Sequence, residues 1–120
     1  MRRNYREGGG FEEAAAYSRA VRIGEHVAVS GTAAREGGDA YAQTREAIGR
    51  ALAAAAEVGA AKEDVLRTRV LLAEGCDWEA AVRAHREVFA GVEPANTTYF
   101  VSGFIPEGVL VEVELDAIVP

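Results

Sequence analysis

The sequence predicts an α+β domain in which two helices lie on one face of a mixed sheet. Residues 109–118 alternate, with apolar side chains at odd positions and Glu112, Glu114 and Asp116 at even ones, the two-residue period of a half-buried strand. Two longer stretches, 40–58 and 78–90, repeat apolar residues at three and four, the period of helices covering a sheet. Between and before them lie short runs rich in β-branched residues, so the order reads strand hairpin, helix, strand, helix, strand hairpin.

Taken in order, Asn4, Tyr5 and Arg6 suggest a short edge segment, and Gly8, Gly9 and Gly10 a flexible link. Residues 17–23 and 26–31 flank Gly24-Glu25 as a hairpin, with His26 and Ser30 on one strand face and Val27 and Val29 on the other. His26 has no ligand partner at useful spacing. Ser30 lacks the glycine two residues earlier that a nucleophile elbow needs, which argues against a serine hydrolase.

Asp39 is placed to cap a helix over 40–58 that stops at Gly59, with an apolar stripe of Tyr41, Thr44, Ile48, Leu52, Ala55 and Val58. Residues 65–72 form a third strand with Leu66, Thr68, Val70 and Leu72 on one face. Arg67 and Arg69 occupy the other face, as partners for Glu112, Glu114 and Asp116. Asp77 caps the second helix, 78–90, whose apolar side holds Trp78, Ala81, Val82, His85, Val88 and Phe89 and which stops at Gly91. His85 lacks the second histidine four residues away that a zinc helix requires, so it reads as a core residue, and no metal site is expected. Pro106 and Gly108 then mark a turn, with residues 96–104 folding back on 109–118 as a hairpin.

With 120 residues and 49% hydrophobic content the chain makes one domain, 1–120. A lone cysteine, Cys76, and the lack of a secretion signal point to the cytoplasm. No apolar run approaches the roughly 20 residues of a membrane span. A net charge of −6 offers no footprint for nucleic acid. Because the helices cover one sheet face, the other, carrying Arg67, Arg69, Glu112 and Glu114, invites a partner, and a closed homo-oligomeric ring supplies one.

Several local patterns occur together and in order: Tyr17 ahead of the hairpin, Val29-Ser30-Gly31, Gln43-Thr44, the D-V-x-x-T-x-V-x-L pattern ending at Leu72, and Asp77-Trp78. Pro94-Ala95, Ile105-Pro106-Glu107-Gly108 and Val111-Glu112-Val113-Glu114 complete the series. In this order they resemble the Rid family, also called YjgF or L-PSP endoribonuclease-like. The resemblance implies a chorismate-mutase-like fold, a homotrimer around a central barrel, and small-molecule pockets at subunit interfaces. It also implies cofactor-independent hydrolysis of enamines and imines to ketones and ammonia.

By the same resemblance Glu112 orients the attacking water, and Tyr17, Ser30, Gly31 and Thr97 line the substrate pocket. The deaminase branch carries a carboxylate-gripping arginine directly after the Pro-Ala pair, where this chain has Asn96. An amide forfeits the charged fork, at about 1.5 to 3 kcal/mol per charge-assisted hydrogen bond. The substrate is therefore expected to differ from simple α-imino acids, with Arg83 a candidate replacement cation. The alternatives are a trimer that binds a metabolite without converting it and, disfavoured by the acidic charge, a ribonuclease.

Overall fold

In chain order the computed structural model, which describes residues 1–120, runs β1 (Arg2–Tyr5), α1 (Gly10–Ala15), β2 (Ala20–Ile23), β3 (His26–Ala33) and α2 (Ala40–Glu57). It continues through β4 (Val65–Ala73), α3 (Trp78–Phe89), β5 (Ala95–Val101) and β6 (Val111–Ile118). The six strands form one mixed sheet in the order β1-β2-β3-β6-β4-β5. The α+β architecture expected from the sequence is thus present, with a short third helix, α1, where the glycine run had suggested only a link.

The expected pairing of residues 96–104 with the last strand is corrected. β5 pairs parallel with β4, through Thr68 opposite Asn96 and Leu72 opposite Phe100, while β6 inserts antiparallel between β3 and β4. The cause lies in connectivity. A strand, a covering helix and a second strand form a parallel unit, and both β3-α2-β4 and β4-α3-β5 are built this way. β6 then fills the gap left between β3 and β4, so the turn at Pro106 and Gly108 joins strands that are not neighbours.

β6 keeps its alternation, with Val111, Val113, Leu115 and Ala117 fully buried against the helices. They join Val70 and Leu72 of β4, Ile48, Ala51 and Ala55 of α2, and Phe89 of α3 in one core. Each large member contributes about 1.5–3 kcal/mol by leaving water. Asp39 and Asp77 accept from the backbone N–H groups of Ala42 and Ala80, at 2.9 and 3.1 Å, and so cap α2 and α3 as expected.

Three apolar assignments shift. The buried face of α2 runs through Ala47, Ala51 and Ala54, leaving Tyr41 and Leu52 half-buried, because alanine lets the helix approach the sheet closely. Trp78 and Val82 stand exposed on α3. Leu66 is also exposed, because one extra residue of β4 is accommodated between the Val65–Ala117 and Arg67–Asp116 pairs.

Candidate functional site

A second bulge builds the site. Between the Val29–Leu115 and Thr32–Val113 pairs, β3 holds one residue more than β6, so Ser30 and Gly31 leave the regular ladder. Their carbonyls are met instead by Arg19, at the entrance to β2. Its Nη2 donates to the oxygens of Gly31 at 2.7 Å and Ser30 at 3.4 Å, and to Thr32 Oγ1 at 2.8 Å. Arg19 Nη1 donates to the Tyr17 hydroxyl at 3.2 Å, and the Ser30 hydroxyl donates to the Ser18 carbonyl at 2.6 Å. The bulge is therefore pinned from β2 by side chains as well as backbone.

Gly31 lets Glu112 lie across it. A Cβ at position 31 would sit 2.7 Å from Glu112 Oε1, so no other residue fits without moving the carboxylate. Glu112 and Glu114 project from β6 into a cavity of about 480 Å³. Tyr17, Arg19, Ser30 and Gly31 form one wall, and Phe11 of α1 and the 103–106 loop close other sides. Burial pushes the Glu112 carboxyl above the usual carboxylate range, Arg19 pulls against that shift, and Glu114 adds to it. Glu114 is itself paired with Arg69, at 3.4 Å, and Arg69 reaches Asp116 at 3.3 Å, as the facing charge patterns of β4 and β6 had suggested, whereas the expected pairing of Arg67 and of Glu112 is absent and Arg67 donates to Thr97 instead.

Of the residues singled out from sequence, Tyr17, Ser30, Gly31 and Glu112 share this cavity. Asn96, Thr97 and Arg83 do not line it within one chain. Asn96 stands in register with Thr68, and Thr68 with Leu115 on the helix-covered face, whereas Glu112 is three residues from Leu115 and projects from the opposite face. Asn96 Nδ2 donates to Thr68 Oγ1 at 3.0 Å, its Oδ1 accepts from Thr98 at 2.9 Å, and Thr68 Oγ1 meets His85 Nε2 at 2.7 Å. His85 leans on Phe89, with ring centroids 4.7 Å apart, and burial holds its pKa below the ordinary imidazole value. Asn96 thus lines a separate, smaller cavity, of about 290 Å³, beside Trp78, Val82 and Phe100. Thr97, on the Glu112 face, accepts from Arg67 at 3.1 Å. Arg83 stacks 4.6 Å above the Tyr41 ring.

Arg19 is the site residue that sequence reasoning passed over. Its signal was its position two residues after Tyr17, which gives the two side chains a common face in an extended strand. What hid it was the bulge, which no periodicity announces.

The family model described as Endoribonuclease L-PSP matches residues 10–119. An uncharacterised Streptomyces coelicolor protein, SCO2049, is 45% identical over 96% of this chain and 90% of its own length. The crystal structure of Rv2704 from Mycobacterium tuberculosis, a member of the YjgF/YER057c/UK114 family, superposes with a TM-score of 0.94 at 39% identity. That match covers 99% of this chain and 100% of Rv2704. E. coli TdcF, solved with bound serine, shares the fold with a TM-score of 0.81 at 19% identity, over 98% of this chain and 94% of its own.

Proposed function

Since this chain belongs to the YjgF/YER057c/UK114 family of L-PSP endoribonuclease-like proteins, we propose that it hydrolyses a small imine or enamine in a pocket completed between subunits. The observation that carries this reading is the Glu112 carboxyl, laid over Gly31 in a partly dry cavity that raises its proton affinity. Such a group donates a proton to an enamine carbon, giving the iminium, and in its ionised form takes a proton from water attacking the C=N carbon. The resulting carbinolamine collapses to a ketone as the nitrogen leaves protonated, as ammonia. One water is consumed and no redox partner or cofactor is needed.

Two features support a composite pocket. Asn96 and Glu112 project from opposite sheet faces of one chain, so a site using both draws them from different subunits. β5 is also a seven-residue edge strand, and the exposed Tyr99, Phe100, Trp78 and Val82 around it form an apolar patch suited to a neighbouring copy. In this reading a homotrimer brings Asn96 of one subunit to the Glu112 cavity of the next. Thr97 flanks that junction, and Arg83 stays on Tyr41. RNA cleavage is a weaker reading, since Glu112 and Glu114 in the cavity and the net charge of −6 repel a phosphodiester.

The test is ammonia release when imines are generated in situ from a panel of amino acids by an oxidase. Wild type accelerates release with at least one member, and Glu112→Gln abolishes the acceleration. Asn96→Arg shifts preference towards simple α-imino acids. If no imine or enamine in the panel turns over faster than in buffer, the hydrolase reading fails; a metabolite retained through purification would then favour a binding protein.

A further inference from the structure

Thr68 of β4 is fully buried, so its hydroxyl proton has no water to bond and must find its acceptor within the chain. The hydroxyl oxygen has two side-chain neighbours: Asn96 Nδ2, which donates to it at 3.0 Å, and His85 Nε2 of α3, at 2.7 Å. An amide nitrogen cannot accept, so the hydroxyl donates to His85 Nε2, and that nitrogen carries no hydrogen. His85 is then the neutral tautomer with its proton on Nδ1, in keeping with the burial that holds its pKa below the ordinary imidazole value. Nδ1 has no protein partner, and since no fully buried side-chain nitrogen or oxygen lacks one, its N–H opens onto accessible space.

One other arrangement satisfies the same hydroxyl. With the ring proton on Nε2, His85 would donate to Thr68, and the Thr68 hydroxyl would donate onward to an Asn96 amide turned over, with Oδ1 in the place of Nδ2. Thr98, whose hydroxyl donates to Oδ1 at 2.9 Å, would then accept from Nδ2 instead. We infer that His85 is a positioning residue for Asn96: its Nδ1–H tautomer, relayed through Thr68, fixes which end of the amide faces β4. In the orientation held, one Nδ2 hydrogen and one Oδ1 lone pair stay free at the wall of the cavity beside Trp78 and Val82. Turning the amide over would exchange their places, and with them the donor and acceptor that a ligand meets. This role rests on the composite pocket proposed above, where Asn96 meets the ligand; there a preset amide loses little side-chain freedom on binding.

The test is nuclear magnetic resonance of the intact, nitrogen-15-labelled protein at neutral pH. His85 is expected to show a protonated Nδ1 and an unprotonated Nε2, which resonate far apart. The Asn96 Nδ2 hydrogens are expected to give Overhauser contacts to the Thr68 side chain rather than to that of Thr98. His85→Leu removes the acceptor and should move those contacts to Thr98, because the Thr68 hydroxyl then finds its acceptor in Oδ1. His85→Gln restores an acceptor oxygen and should keep them on Thr68. A proton on Nε2 in wild type, or contacts that stay on Thr68 in His85→Leu, would overturn the assignment. For any imine that wild type hydrolyses, His85→Leu is expected to raise KM several-fold, up to about tenfold for one misdirected hydrogen bond, with kcat little changed and His85→Gln close to wild type. An unchanged KM in His85→Leu would count equally against it. If wild type hydrolyses no imine, the proposed reaction fails, and the spectra alone decide the role of His85.

Discussion

A methyl group added at Gly31 would meet Glu112 Oε1 at 2.7 Å, and the carboxylate rather than the pinned bulge is free to yield. Gly31→Ala is therefore expected to keep the fold and lower turnover on the order of 100-fold, the usual effect of misplacing a reacting group by about an ångström. Steady-state kinetics beside a thermal melt separate the two effects. Protonation of Glu112 gives a second prediction. With its folded-state pKa raised by burial, the native state holds a proton that the unfolded chain has released, so this group's contribution to stability declines as pH rises from the ordinary carboxylate value through the raised one. Water activation needs the ionised form and rises over the same interval. Urea titrations across that window should show the decline in wild type and its absence in Glu112→Gln; an identical pH dependence in both would assign the effect elsewhere. Glu112 and Gly31 were visible from sequence as members of a familiar pattern, but their contact was not, because it depends on a bulge.

Among the elements, β6 was the most legible and β5 the least. The alternation of β6 survives because both its neighbours lie in the sheet and the helices cover one face, so every odd residue is buried. β5 was paired with the wrong strand because a proline and glycine turn suggests a hairpin, whereas strand-helix-strand connectivity sends β5 to β4. Leu66 misled for a related reason: one bulge residue reverses the face that alternation assigns. The β4–β5 contact also makes a prediction. Thr68 is fully buried and joins Asn96 to His85. Thr68→Val removes the hydroxyl that both use and should cost about 1–3 kcal/mol, read as a lower urea midpoint with unchanged slope. A neutral substitution would mean that Asn96 and His85 find other partners.

At the scale of the molecule, the sheet divides the candidate residues into two groups: Tyr17, Ser30, Gly31, Glu112 and Arg19 around one cavity, and Asn96 in another beside edge strand β5. Sequence patterns gathered most of these names because they follow the chain, and they did not reveal that Asn96 and Glu112 face opposite ways. With Asn96 and Glu112 on opposite faces, a pocket that uses both exists only in an assembly. The direct measurement is the solution mass by multi-angle light scattering at micromolar concentration. A mass three times the 12.7 kDa monomer is the predicted result. A mass of 12.7 kDa would contradict the account, since Asn96 and Glu112 would then remain on opposite faces of a single sheet with no shared pocket.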